Sequence, residues 1–494
     1  MIDKIIKNKF SIGLALTLFI SFFLRFVNYS SRWGLASDQA RDVLVSAFAF
    51  NNHLIPLIGP FSSAGQFVYG PQWYWIMMLS MSAFFGSFFA PWIFQTLLYV
   101  FAVYVIFLIG KEIISKNFGL LVAFLVTISW SQVGQSTNPI SPGMAGIFAV
   151  FALYFFVRYI KYSKSLDAFL LGFLVGNAIN IHFQAIGLIT LLPVAFILSK
   201  RNIKQFLLLS LGFLIPFIPL MLFDLKTNFF ESRNMLDYYL YGQYRIYVPN
   251  RWLTYIGVFW PKAWSDIVGG YPIFGYFIMV LFSAITFYKI IKKKISRELL
   301  GLIICFGLIF IELRYYRGVL FDGYLTFLQP FVFVFTGIVF YEVYKFKKIL
   351  FLGLIIVITF TSLAIDVREI AKAANTTAID TEKLMLTLIK QHPNEKFSLF
   401  DYRHKLAGAS LPLSLYLYNA NKIDDNGSRV GIAQATLGAL LEFNAFPGIE
   451  GKPGQLQLVD LSKISKEELI RTGWVMVNPS AVYNSVENWY TVNK

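Results

Sequence analysis

The stretch Ser37-Asp38-Gln39-Ala40-Arg41-Asp42 sets two carboxylates four residues apart with a guanidinium beside them. On a helix such positions share a face. A carboxylate close to a membrane surface loses hydration, which raises its proton affinity and suits a general base. The same spacing describes a solvated acidic pair at a helix start, and spacing alone leaves both readings open. His182 and Gln184 form a second candidate, a polar pair at a tight turn between two apolar runs. A polar pair at membrane depth is read as a functional site by default, with an ordinary hydrogen-bonded turn as the alternative. Asp224-Leu225-Lys226-Thr227-Asn228 closes an apolar run and opens a loop with Arg233, Tyr238, Tyr239, Tyr241, Tyr244, Arg245, Tyr247 and Arg251. A shorter loop carries Arg314-Tyr315-Tyr316-Arg317 and Asp322-Gly323-Tyr324. Guanidinium forks match phosphate oxygens, and tyrosine packs on a sugar ring or lies at an interface. For most of these residues an aromatic belt with solvated charges is the plainer reading.

Apolar helices must position these groups. Of the 494 residues 57% are hydrophobic and only 14% charged, against about 25% charged in a soluble domain. That excludes a soluble globular enzyme and a disordered chain. The net charge of +16 would suggest nucleic acid in a soluble protein. Here it fits Lys/Arg-rich cytoplasmic loops facing anionic lipid, so no nucleic-acid partner is expected. The single cysteine, Cys305, lies in an apolar run, and the four histidines are far apart. A disulfide framework, a thiol-bound cofactor and a clustered histidine site are therefore not expected, and no metal ligand set is assigned.

Segments of sufficient apolar length are Phe10–Val27, Trp92–Gly110, Gly119–Gln135, Gly143–Tyr159, Asp167–Ile181, Gln184–Ser199, Phe206–Phe223, Tyr271–Ile291, Leu299–Leu313, Phe327–Tyr344 and Ile349–Ile365. Basic residues mark inner ends at Lys111 and Lys116, Arg158 to Lys164, Lys200 to Lys204, Lys289 to Arg297, and Lys345 to Lys348. The expected protein is an α-helical polytopic membrane protein of about eleven spans in a plasma or inner membrane. Its N-terminus is cytoplasmic, and its polar loops, including 28–70, collect on the outside. Pro71–Ala90 is apolar enough to span, yet a crossing there would reverse every later basic loop. It reads as re-entrant or interface-lying, with Trp73, Tyr74 and Trp75 as anchors.

The first 369 residues thus form the membrane domain, and residues 370–494 have soluble character. Thr381–Gln391 reads as an amphipathic helix, and Phe397–Asp401, Arg429–Ala433, Leu456–Asp460 and Trp474–Asn478 as short strands. Ser465–Thr472 opens on a Ser-x-x-Glu capping signal. The alternation predicts a small extracytoplasmic α/β domain. No Walker A, Gly-x-Gly-x-x-Gly or His-Glu-x-x-His motif occurs.

Asp38-Gln39-Ala40-Arg41, His53-Leu54-Ile55-Pro56 and Tyr69-Gly70-Pro71-Gln72-Trp73-Tyr74-Trp75 together resemble the first outer loop of polyprenyl-phosphate-sugar glycosyltransferases. These are membrane enzymes of the GT-C type, including protein O-mannosyltransferases and the aminoarabinose transferase of lipid A. The resemblance implies a GT-C-like fold over roughly residues 10–366 and makes Asp38 the catalytic base. Gln39 stands where that family has a second acid. Tyr69 and Gly70 stand where the aminoarabinose branch has a lysine, so no phosphate contact is carried over from it. Thr137-Asn138-Pro139 resembles an Asn-Pro of bacterial members, with Pro139 as a plain helix entry the alternative.

The implied partners are a polyprenyl-phosphate-linked sugar donor, an extracytoplasmic acceptor and the bilayer. The candidate substrate contacts are Asp42, Arg41, Tyr69, Asn138, His182, Gln184, Asp224, Arg245, Arg251, Arg314, Arg317 and Asp322. No cofactor is implied, and a divalent metal is compatible with the chemistry without being required. A transporter or flippase of lipid-linked glycans is the alternative function, since it also needs many helices and aromatic grooves.

Overall fold

The structure is a computed structural model that describes residues 2–200, 202–242, 250–316, 322–403, 405–434 and 456–487. Its helices begin with α1 (Ile2–Phe26), α2 (Ser37–Asn51), α3 (Gln72–Ala83), α4 (Ala90–Ile113), α5 (Lys116–Thr127), α6 (Trp130–Ser136), α7 (Ser141–Tyr162) and α8 (Ser165–Ile181). A 3-10 stretch, Phe183–Thr190, leads to α9 (Leu191–Leu198), α10 (Ile203–Leu214), α11 (Ile218–Lys226) and α12 (Phe230–Asp237). Then come α13 (Arg251–Thr254), α14 (Trp260–Val268), α15 (Pro272–Ile291), α16 (Arg297–Tyr315), α17 (Gln329–Phe346), α18 (Lys348–Lys372) and α19 (Thr376–Gln391). The C-terminal part runs β1 (Phe397–Tyr402), α20 (Ala407–Asn419), β2 (Ser428–Gln434), β3 (Leu456–Asp460), α21 (Lys466–Arg471), β4 (Trp474–Met476) and α22 (Pro479–Glu487).

The chain divides into two compact units. The first comprises 1–29, 61–73 and 92–373, and the second 30–60, 74–91 and 374–494. Among the described residues six helices are long and apolar enough to cross a membrane, or seven if the bent pair α5–α6 is one span. Phe10–Phe26, Ser165–Ile181 and Phe183–Leu198 are shorter apolar helices. At 12 residues, α3 falls short of the roughly 20 that a crossing needs.

Within the first unit α17 is the hub, buried on every side from Gln329 to Phe340, as an all-round apolar helix must be. Helices α8 and α10 cross at glycines. A Cβ on Gly172 would collide with the Leu209 carbonyl, and one on Gly212 with that of Phe169. Small residues let the two backbones approach this closely.

Two predicted spans are interrupted. Gly119–Gln135 reads as one helix but bends by 64° between α5 and α6. The carbonyls of Val126 and Thr127, which the break strips of helical partners, each accept from the Arg25 guanidinium at 3.4 Å. Ser129 then caps α6 by accepting from Gln132 N–H, and donates to the Ile267 carbonyl at 2.5 Å. Phe206–Phe223 passes through a 3-10 turn at Ile215–Phe217, where Pro216 and Pro219 remove backbone donors. Pro139 does not open α7; Pro142 occupies its first turn.

In the second unit β1 and β2 are parallel, joined through α20, and β3 and β4 flank them antiparallel in the order β3-β2-β1-β4. The predicted strands all form, and Ser465 caps α21 by accepting from Glu468 N–H. Helices α20 and α22 are additions to the sequence reading. Helix α2 packs on both: Asn51 Nδ2 donates to the Tyr418 hydroxyl at 2.7 Å, and Phe48 meets the Tyr483 ring at 5.3 Å. Residues 30–60 therefore group with the C-terminal sheet domain.

Candidate active site

In the second unit the first two turns of α2 bring Asp38, Arg41 and Asp42 together. Arg41 Nη1 donates to Asp38 Oδ1 at 2.9 Å, while its Nε donates to Asp42 Oδ1 at 2.8 Å. Side-chain exposure is 67% for Asp38, 21% for Arg41 and 5% for Asp42. The two acids are therefore unlike: Asp38 faces solvent, and Asp42 is sealed. The desolvation expected at Asp38 falls on Asp42 instead. From α3 the buried Tyr74 hydroxyl donates to the same Asp42 Oδ1 at 3.5 Å. Burial opposes the Arg41 charge, but Asp42, Tyr74 and Asp38 outweigh it and raise the guanidinium pKa above its ordinary value.

In the first unit the stretch Phe61–Gly70 folds on itself through an antiparallel bridge between Phe61 and Val68. Gly70 N–H donates to the Asn180 carbonyl at 2.7 Å. The next residue back, Tyr69, lies 4.6 Å from His182 between ring centroids, and Tyr324 lies 5.2 Å from His182. Two of the sequence candidates, Tyr69 and His182, thus meet, with the His182 imidazole in contact with two tyrosine rings. Burial pushes its pKa down to about 3, so the ring is neutral. Gln184, two residues on, has its Oε1 buried without a hydrogen-bond partner, as do Gln72 Oε1 and Asn180 Oδ1. The amide nitrogens of Gln72 and Asn180 donate to the Pro216 and Gly176 carbonyls, which fixes those orientations.

The remaining candidates separate. The carbonyl of Asn138 accepts from Gln95 Nε2 at 2.8 Å, a structural contact of its backbone. Asp224 accepts from the backbone N–H of Ser232 at 3.1 Å and from its hydroxyl, tying the end of α11 to α12. The Arg314 guanidinium lies 4.5 Å from the Trp252 ring and 5.6 Å from that of Tyr315, and its Nε is buried without a hydrogen-bond partner. Arg251 and Arg314 both act on the Tyr255 phenol; burial raises its pKa, and the two positive charges oppose that. The start of α13 and the last turn of α16, distant in sequence, thus bring two arginines into one neighbourhood, on helix ends rather than in the loops that the sequence suggested. Asp322 opens a 3-10 helix, Asp322–Leu328. Arg245 and Arg317 lie outside the described residues.

Sequence reasoning missed Asn180 and Glu231. Asn180 sits inside an apolar helix, where an amide is itself a signal. Glu231 is buried and accepts from Val68 N–H at 3.1 and 3.3 Å. Burial first, and then the nearby Asp224 charge, push its pKa up to about 8 against the opposing Val68 bond. Among the described residues no group of three or more His, Cys, Asp or Glu gathers as a metal site.

Residues 69–223 match the family model described as dolichyl-phosphate-mannose-protein mannosyltransferase. Among solved structures, ArnT from Cupriavidus metallidurans bound to undecaprenyl phosphate is similar at a TM-score of 0.63 and 10% identity, covering 91% of this chain and 97% of that one. The archaeal oligosaccharyltransferase AglB from Archaeoglobus fulgidus, in complex with an inhibitory peptide and a dolichol-phosphate, aligns at 0.52 and 11% identity over 97% of this chain and 77% of that one. An apo oligosaccharyltransferase structure from Archaeoglobus fulgidus aligns at 0.50 and 14% identity over 78% of this chain; the chain spans 59% of its length. No curated protein sequence matches. The chain has the GT-C glycosyltransferase fold, as the motifs of the first outer loop led one to expect.

Proposed function

We propose that this chain is an integral membrane glycosyltransferase that moves a sugar from a polyprenyl-phosphate carrier to an extracytoplasmic acceptor, with inversion and with Asp38 as the base. The observation that carries the reading is an exposed carboxylate, held by Arg41 at the head of α2, on a GT-C fold. In the step, the acceptor O–H or N–H attacks the anomeric carbon from the face opposite the phosphate. The new bond to that carbon forms as the bond from carbon to phosphate oxygen breaks. Asp38 takes the proton, and polyprenyl phosphate leaves with one more negative charge than it had as a diester. That charge calls for a cation, for which Arg251, Arg314, Arg245 and Arg317 are the candidates. Tyr69, His182 and Gln184 are the candidate contacts for the sugar. The step as written uses no cofactor, and a divalent ion is compatible with it.

In the membrane this reading takes the eleven apolar segments as crossings, with the N-terminus inside and the C-terminal domain outside. The test is sugar transfer by purified protein in detergent, with polyprenyl-phosphate sugar as donor. Label appearing on an acceptor, with release of polyprenyl phosphate, supports an enzyme. No transfer in detergent, together with lipid movement in sealed vesicles, would identify a flippase.

A further inference from the structure

The sequence makes Asp42, with Arg41, a candidate substrate contact, while its buried surroundings point to different work. The Arg41 fork has two usable edges. One edge is spent on Asp42: Nε donates to Oδ1 at 2.8 Å, and Nη2 stands 2.8 Å from the same oxygen. The other, through Nη1, reaches Asp38 Oδ1 at 2.9 Å. Exposure falls steeply along this chain, from Asp38 at 67% through Arg41 to Asp42 at 5%. Beyond Asp42 lies Tyr74, fully buried, whose hydroxyl reaches the same carboxylate from another helix.

An exposed pair three residues apart on a helix is weak and fixes little on its own. Arg41 can hold Asp38 in one orientation because its opposite edge is anchored on a carboxylate that cannot move. Oδ1 of Asp38 is then occupied, and Oδ2 is the oxygen left to receive a proton. We infer that Asp42, steadied by Tyr74, is a positioning residue that locks Arg41 and through it presents Asp38 Oδ2 to the acceptor. This rests on the reading of Asp38 as base. The position is legible only in three dimensions, since Tyr74 lies on α3 and the sequence shows merely two acids on one face.

The experiment uses the full chain in detergent with polyprenyl-phosphate sugar and acceptor, and reads kcat and KM separately for Asp42→Asn and Arg41→Lys. Misplacing a reacting group by about 1 Å costs on the order of a hundredfold. Both variants should lose about 10- to 100-fold in kcat while KM for donor and acceptor stays within about twofold. Arg41→Lys keeps the charge but has no second edge to offer, so a normal kcat in that variant would overturn the inference. So would a raised KM with unchanged kcat in Asp42→Asn, which marks a substrate contact. Because Asp42→Asn strips the half-buried Arg41 of its sealed partner, the paired variant Arg41→Met/Asp42→Leu removes both charges. It should melt within a few degrees of the parent and remain slow, whereas recovered kcat would reduce the pair to a structural role. Asp38→Asn serves as reference. If it turns over normally, the base assignment has failed; if it is inactive while Asp42→Asn is normal, only the positioning role has failed.

Discussion

Two single residues carry predictions of opposite kinds. Arg314 is stacked on Trp252 with a buried Nε that has no hydrogen-bond partner, the arrangement of a guanidinium with donors in hand. A charge-assisted contact to phosphate is worth about 1.5–3 kcal/mol, roughly tenfold to over a hundredfold in rate if it strengthens in the transition state. Arg314→Lys keeps the charge but loses the planar fork and the stacking, so it should lower kcat at least about tenfold. Initial rates of sugar transfer for that variant check this; full activity would remove Arg314 from the phosphate site. Glu231 instead bears on stability. Its pKa is pushed up to about 8 by burial, so the folded protein binds a proton there that the unfolded chain releases near its ordinary 4.5. The folded state is favoured fully below that lower value, and the advantage disappears as pH rises to about 8. Melting temperature in detergent should fall between pH 5 and 8, and Glu231→Gln should flatten that slope. Parallel slopes in the two proteins would show that Glu231 does not carry the effect.

At the scale of elements, the break between α5 and α6 is braced by Arg25 together with the Ser129 cap. Arg25 is wholly buried in the last turn of α1 and donates to Ser21 Oγ at 2.8 Å as well as to the two α5 carbonyls. A cation at a helix C-terminus also meets the negative end of the α5 dipole. Replacing it with Met strands those carbonyls, each costing about 1–3 kcal/mol when buried. Arg25→Met should lower the melting temperature by several degrees, and Arg25→Lys by less; an unchanged melt for Arg25→Met would mean the bend is held by Ser129 alone. The bend also shows what was legible beforehand. Gly119–Gln135 is a continuous apolar run, and little in it beyond the Ser129 cap tells it to break, because the cation Arg25 and the Ile267 carbonyl that Ser129 reaches belong to other helices. Asp38 and Arg41 were visible because their contact is three residues long. Asn180 and Glu231 were not, because Gly70 and Val68 meet them from over a hundred residues away. Helix α20 escaped notice because Pro412 sits inside it and its buried face runs unbroken from Ser410 to Leu417, leaving no helical period to read.

For the whole molecule, a mostly helical apolar chain with a small C-terminal sheet was legible from composition and pattern, since long apolar runs and a polar C-terminal stretch need no tertiary information. The grouping of α2 with the sheet domain was not, because it depends on Tyr418 and Tyr483 meeting Asn51 and Phe48 of that helix. The proposed topology puts residues 370–494 outside. Protease added to intact cells with a permeabilised outer barrier should clip there, and protection in those cells with cleavage in inside-out vesicles would reverse the second half of the topology. The central claim is that Asp38 removes the acceptor proton during transfer from a polyprenyl phosphate. Asp38→Asn keeps the size and most of the hydrogen bonding of the side chain while abolishing proton acceptance. Single-turnover transfer from radiolabelled polyprenyl-phosphate sugar, measured beside donor binding, tests it most directly. The predicted result is a loss of about 100-fold or more in the transfer rate with donor affinity kept within a few-fold. Transfer at the parent rate by Asp38→Asn would contradict it.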